Sequence, residues 1–261
     1  MTRKIRTKSS TGIYHVMLRG INRQDIFEDA VDYRKMILIL RGLVERFDEQ
    51  GQRLPPLCTV YAYCLMSNHI HLLIQEKSED ISGIAKRVGI AYAAYFNKRY
   101  ERNGHLFQDR FRSEPVDNME YFVILLRYIH QNPVKEGLVA RVADYPWSSW
   151  GEYASNVSGF CCVEAVFKHI PSKDLEELVN SSVDGFEDTL DIESKASMKD
   201  HEVRTFLMEN YGISNPLTIQ SLEKTRRNEV LLSARTMGAG IRQLSRMTGV
   251  SFGLIQKLRK K

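Results

Sequence analysis

A chain of 261 residues with 43% hydrophobic side chains can bury a sizeable core, as one large domain or two modest ones. It contains no run of 18 or more apolar residues, so no membrane partner is expected, and the basic start MTRKIRTKSS leads into no apolar stretch of the kind a secretory leader needs. The net charge of +5 is unevenly spread: seven bases face two acids between Lys86 and Arg112, ten face Glu229 alone between Lys224 and Lys261, and eleven acids outnumber four bases between Ile170 and Glu209. Two basic blocks flanking an acidic one suit two surfaces for a polyanion. Cys58, Cys64, Cys161 and Cys162 form no CxxC pair, and reduced thiols in a cytoplasmic protein are expected.

Thr11–Arg19 alternates with bulky residues on both faces and reads as a central strand. Asp32–Asp48 shows helical spacing through Met36, Ile39, Leu40, Leu43 and Phe47, and a loop follows from Gly51 to Pro56. Leu57–Leu65 and Asn68–Gln75 read as two strands joined by a Ser67–Asn68 turn. Ile81–Arg99 is a helix with Ile84, Val88, Ala91 and Tyr95 as its apolar stripe, and Leu106–Val116 a kinked strand. Asn118 is a plausible cap for a helix that Pro133 should end or distort near Asn132. This β-α-β-β-α-β order predicts an α+β fold, a ferredoxin-like antiparallel sheet with helices on one face.

Ser148–Ile170 looks irregular to helical, and Ser172–Leu190 is an acidic linker or a loosely packed helix. Beyond Asp200 the pattern is all-helical. Ile241–Met247, a turn at Thr248–Gly249–Val250 and Ser251–Arg259 resemble a helix-turn-helix, with Ser251 able to cap the second helix. Three segments follow: an α+β domain over 1–155, an acidic connection over 156–200 and a helical domain over 201–261, whose helix-turn-helix-like end suits DNA binding.

Two short motifs carry chemistry. His69 and His71 stand at i and i+2 of a strand, so their imidazoles share a face, and paired neutral imidazoles suit a divalent metal. Tyr128 and Asn132 stand at i and i+4 of a helix and share a face too. A tyrosine can be a covalent nucleophile, and an asparagine carbonyl can meet a hard cation. Each motif alone has a plain structural reading, as surface histidines on a strand or as a tyrosine packed on Leu125. Together they describe a scissile phosphate held by a metal at His69, His71 and Asn132 and attacked by Tyr128. Arg19, Asn22 and Arg23 follow the first strand and could grip phosphates. Arg110 and Arg112, near Phe107 and Phe111, suit a single-strand platform, and Lys257 and Arg259 place charge on the last helix. Trp147 and Trp150 read as core plugs.

Five ordered blocks resemble a known family: YHVMLRGINRQDIF at Tyr14–Phe27, YCLMSNHIHLLI at Tyr63–Ile74, GHLFQDRFRSEPV at Gly104–Val116, RYIHQNPVKEGLV at Arg127–Val139 and DYPWSSWGEY at Asp144–Tyr153. From about Gly12 to Tyr153 the chain is similar to the HUH single-tyrosine transposases of the IS200/IS605 type, and more closely to the REP-associated tyrosine transposases. The resemblance implies His69 and His71 as metal ligands, Tyr128 as nucleophile and Asn132 completing the site, with Gln131 as its neighbouring candidate. It implies Mg²⁺ or Mn²⁺, hairpin-bearing single-stranded DNA as substrate, and a monomer or homodimer. Ser67 stands where relatives often carry proline. The extension beyond about residue 155 lies outside the resemblance and adds duplex DNA as a second partner. The competing readings are a non-catalytic DNA-binding regulator using the helix-turn-helix, and a phosphodiesterase acting through water.

Overall fold

The protein is seen in a computed structural model that describes residues 7–108, 110–155, 159–181, 198 and 200–258. The chain divides into two compact units, Met1–Ile21 with Ile26–Asp188, and Asn22–Asp25 with Thr189–Lys261.

In the first unit, β1 (Ile13–Arg19) leads through a 3-10 turn at Ile21–Arg23 to α1 (Ala30–Val44). Asp29 caps α1 by accepting the N–H groups of Val31 and Asp32. A small hairpin, β2 (Arg46–Phe47) and β3 (Arg53–Leu54), follows, then β4 (Cys58–Met66), β5 (His69–Glu76), α2 (Ile81–Arg99), β6 (Arg112–Pro115) and α3 (Met119–Lys135). The main sheet is four-stranded in the order β4-β5-β1-β6, and each adjacent pair is antiparallel. This is the ferredoxin-like arrangement, with β1 central as its two-sided bulk requires.

Side chains alternate across a strand, so Tyr14, Val16 and Leu18 share one face of β1, and Ile13, His15, Met17 and Arg19 the other. The first face meets the crossover helices: a Cβ on Gly89 of α2 would stand 3.5 Å from Leu18 Cδ2. The other face carries His15, His69 and His71, and α3 covers it. The sequence reading put α3 on the same side as α1 and α2. The ring of Phe122 on α3 instead meets Tyr61 of β4 edge-on at 5.1 Å, and Tyr128 meets His71 of β5.

Three boundaries differ from expectation. α1 stops at Val44 rather than Asp48, because Glu45 turns extended and Asp48 Oδ1 accepts Gln50 N–H at 3.0 Å and Gln52 N–H at 2.8 Å to close the hairpin. Phe47, expected on the helix's apolar face, is therefore 61% exposed. Only Arg112–Pro115 of the expected Leu106–Val116 strand pairs with β1 along a ladder. α3 runs through Pro133 to Lys135. With two helical residues after it, the proline removes one backbone bond in a final turn rather than breaking a helix interior. On α2 the buried stripe is Ile81, Ile84, Ala85, Val88, Tyr92 and Phe96, so Ala91 and Tyr95 lie beside it.

The first unit closes with a 3-10 turn at Val142–Asp144 and three short helices, α4 (Trp150–Ser155), α5 (Val163–Phe167) and α6 (Ser172–Asn180). Trp150 is buried, while Trp147 stacks on Tyr33 at 4.6 Å. The second unit holds α7 (Asp200–Tyr211), a 3-10 turn at Pro216–Ser221, α8 (Lys224–Thr236), α9 (Ile241–Thr248) and α10 (Phe252–Lys257). They pack around Val203, Leu207, Val230, Leu231, Leu244 and Ile255. Gly249 ends α9 in the left-handed conformation at φ 70°, a position glycine takes without strain. Ser251 precedes α10 but makes no side-chain cap. Among the described residues, no helix is long and apolar enough to cross a membrane, and all four cysteines are free thiols.

Candidate active site

The ladder between β1 and β5 sets the site's geometry. Arg19 stands directly opposite His69, and Met17 opposite His71. His15 lies diagonally from His71, close enough for side chains to meet. Its Nε2 is 2.9 Å from His71 Nδ1, and the two rings stack at 5.2 Å. The His69 and His71 rings meet edge-on at 4.8 Å. All three histidines are buried.

Each imidazole of the pair is held through the same atom. His69 Nδ1 is 2.6 Å from Asn68 Oδ1, so it donates there. His71 Nδ1 is held by His15. In both rings Nε2 is then the nitrogen that would meet a cation. Burial, followed by the neighbouring His69, His15 and Arg19, holds His71 well below the usual imidazole range. It is therefore neutral, as a metal ligand must be.

α3 brings Tyr128 to this cluster within one chain. Its ring meets His71 at 5.4 Å and His15 at 6.0 Å, both edge-on. Lys135, two turns further on, places its Nζ 5.1 Å from the centre of the Tyr128 ring. Tyr128 is 3% exposed, with its ring packed against the histidine cluster. Asn132 is buried as well, and its Nδ2 donates to the Tyr128 carbonyl at 2.9 Å. That bond leaves Oδ1 as the amide's remaining acceptor, although no hydrogen bond among the described residues ties Asn132 to the imidazoles. Gln131 points elsewhere: its Nε2 donates to Val179 O at 2.6 Å and Ser181 O at 2.7 Å, within and just after the end of α6.

His130 fixes α3 from its other side. Its Nδ1 donates to Leu126 O and its Nε2 is 2.8 Å from Ser149 Oγ. Ser149 Oγ also accepts the Tyr63 N–H of β4. Burial pushes His130 down to about 4, so it is a neutral structural group.

Among the described residues, no group of three or more His, Cys, Asp or Glu side chains could hold a metal ion. The donor set here is different: two imidazoles with Nδ1 tied, and an amide oxygen one helical turn beyond the tyrosine. Those donors fit a divalent cation of intermediate to hard character that takes its other ligands from a substrate.

The expected DNA contacts separate. Arg19 and Arg112 lie on the histidine face, Arg112 opposite Met17 in the ladder. Arg110 precedes β6 and instead lines a cavity of about 700 Å³ between α2 and the 104–111 loop, with Lys86, Ile90 and Phe107. Phe111 is buried core. Asn22 and Arg23 are left-handed, at φ 52° and 58°. Lys257 is exposed on α10, and Arg259 lies outside the described residues.

His15 and Asn68 were not singled out as site residues by the sequence. The available signal was a histidine on a strand face that alternation aligns with Met17 and Arg19. It becomes informative only once β1 is known to pair with β5.

Comparison with known proteins adds to this geometry. The family described as Transposase IS200 like matches residues 8–132. A Haemophilus influenzae protein described as a REP-associated tyrosine transposase is 32% identical over 102 residues, 34% of this chain and 57% of that protein. The match thus spans little more than half of the relative's length. A solved structure of a REP-associated tyrosine transposase bound to a REP hairpin is similar at 17% identity and a TM-score of 0.46, covering 61% of this chain and 90% of that one.

Proposed function

We propose that this chain, whose residues 8–132 match the family described as Transposase IS200 like, cuts and rejoins single-stranded DNA through a 5′-phosphotyrosine on Tyr128. The observation that carries the reading is the Tyr128 ring beside His71, at 5.4 Å, on the sheet face that also holds His69. A strand-borne imidazole pair and a helix-borne phenol share one place in one chain.

In this reading Tyr128 attacks the scissile phosphorus, the bond from phosphorus to the 3′ oxygen breaks, and a 3′-OH leaves. The covalent link conserves the phosphodiester's energy, so rejoining needs no nucleotide cofactor. Lys135 supplies positive charge on the flank of the nucleophile. Arg19 and Arg112 flank the histidines and suit the phosphates on either side of the break. Mg²⁺ or Mn²⁺ held by His69, His71 and Asn132 would withdraw charge from the non-bridging oxygen. The second unit, with Lys257 on its last described helix, suits duplex DNA.

The test is to incubate the protein with hairpin-bearing single-stranded DNA and Mn²⁺, then look for an adduct that survives denaturation. Wild type should form it, and Tyr128→Phe should abolish it while keeping the fold by circular dichroism. An undiminished adduct in Tyr128→Phe, or cleavage without any adduct, overturns the proposal.

A further inference from the structure

The histidine face holds a polar chain that extends past the two expected ligands. Glu114 of β6 stands directly opposite His15 in the β1–β6 ladder. Its Oε2 lies 3.8 Å from His15 Nδ1 and accepts the Tyr121 hydroxyl at 3.0 Å. His15 Nε2 in turn lies 2.9 Å from His71 Nδ1.

From this geometry we infer that Glu114, acting through His15, fixes His71 as the tautomer with its proton on Nδ1 and thereby aims Nε2 at the cation. The inference rests on the metal-site reading above. It makes His15 and Glu114 positioning residues that touch neither metal nor DNA.

The direction of the chain follows from donor counting. A neutral imidazole has one N–H and one lone-pair nitrogen. Glu114 Oε2, 3.8 Å from His15 Nδ1, is beyond hydrogen-bond distance, but a carboxylate only accepts, and its charge favours the His15 tautomer that carries the proton on Nδ1. His15 Nε2 must then accept, and the donor to it is His71 Nδ1–H. The lone pair of His71 is left on Nε2, which is the ligand atom. A carboxylate is ionised, and so an acceptor, near neutral pH. Tyr121 fixes the carboxylate at the far end.

The same geometry argues against His15 as a third ligand. Its Nε2 is spent on the Nδ1 side of His71, behind the ligand atom rather than beside it. The rings stack only 13° from parallel, so His15 backs His71 instead of converging with it.

Two measurements on the full chain test this. Imidazole ¹⁵N NMR of the metal-free protein should show His71 protonated at Nδ1. Mn²⁺ titration by electron paramagnetic resonance, without DNA, should show His15→Leu and Glu114→Gln weakened, His15→Leu by about 10- to 100-fold. His15→Gln, which returns an acceptor oxygen near the place of Nε2, should recover most of that loss. Melting temperatures of the metal-free variants show whether the fold persists, and if His15→Leu does not fold, the wild-type spectrum decides alone. A His71 proton on Nε2, or Mn²⁺ binding by folded His15→Leu within about threefold of wild type, overturns the relay and leaves the metal site standing. Wild-type protein that binds no Mn²⁺, or binding that survives His69→Ala, removes the metal site and the relay together.

Discussion

Gln131 and Asn132 are adjacent on α3, and their hydrogen bonds give them different duties. Gln131 donates to the carbonyls of Val179 and Ser181, whereas among the described residues the Asn132 side chain bonds only within its own helix through Nδ2 and keeps an acceptor oxygen. Gln131→Ala should therefore cost about 1–3 kcal/mol in urea unfolding, the range for leaving a buried carbonyl, here that of Val179, without this donor, and leave Mn²⁺ affinity unchanged. Asn132→Ala should do the reverse, losing Mn²⁺ affinity with a smaller change in stability. The thiols give a second check at this scale. Burial pushes Cys58 up to about 12 and raises Cys64 and Cys161 well above the usual thiol range. A thiolate is the reactive form. Ellman's reagent at pH 8 should thus label one thiol quickly, Cys162, and all four only in denaturant; fast labelling of several native thiols would contradict the buried placement. The pair His69–His71 and the tyrosine were legible because periods of 2 and 3.6 fix which neighbours share a face. His15 and Asn68 were not, since their partners are set by strand register and a turn, which no spacing within one segment encodes.

At the scale of elements, α1 and α2 are joined by a buried carboxylate. Asp32 is 0% exposed and accepts from the Tyr95 hydroxyl at 2.8 Å, the Tyr100 hydroxyl at 2.8 Å, Arg99 at 2.5 Å and the Glu28 N–H at 2.8 Å. Removing one partner of such a group strands the others, so Asp32→Ala should cost about 3–5 kcal/mol in urea unfolding. Arg87→Ala, which breaks a more exposed pair with Glu79, should cost less than about 1 kcal/mol. Similar costs for the two would mean that Asp32 is not the joint. The network also explains part of what the sequence hid. Tyr95 was expected in the apolar stripe of α2, and it does turn toward α1, but to offer its hydroxyl to Asp32 rather than its ring to the core. Strand and helix identities followed from hydrophobic period, and the ferredoxin-like order followed from their succession. The covering of the histidine face by α3 did not, because a helix's apolar side says that it packs and not on which side of a sheet. The ends of α1 and α3 were likewise set by contacts specific to this chain, an Asp48 turn and a proline tolerated in a last turn.

Over the whole molecule, charge is the property most easily read from the sequence and the one most changed by folding. Ten bases between Lys224 and Lys261 look like a single polyanion surface. Two of them are consumed inside the second unit. Arg246 clasps Asp200, 1% exposed, through Nη2 at 2.7 Å to both oxygens. Arg235 Nη1 donates to the carbonyls of Ile255 and Leu258 at 2.9 and 2.8 Å, closing the end of α10. Arg226 is partly neutralised by Glu229. Lys257, exposed on α10, is left to meet a phosphate. Each phosphate neutralised contributes about one unit to the slope of log affinity against log salt. Lys257→Ala should therefore weaken duplex binding across unrelated sequences and flatten that slope by about one, with the melting temperature unchanged. Arg246→Ala should lose duplex binding for a different reason: it leaves Asp200 buried without its partner, at a cost of about 3–5 kcal/mol. That loss should appear as lower thermal stability with no selective change in salt slope. If Lys257→Ala leaves the slope as it was while Arg246→Ala flattens it in a stable protein, Arg246 is the phosphate contact, and the surface assigned to α10 belongs to α9 instead.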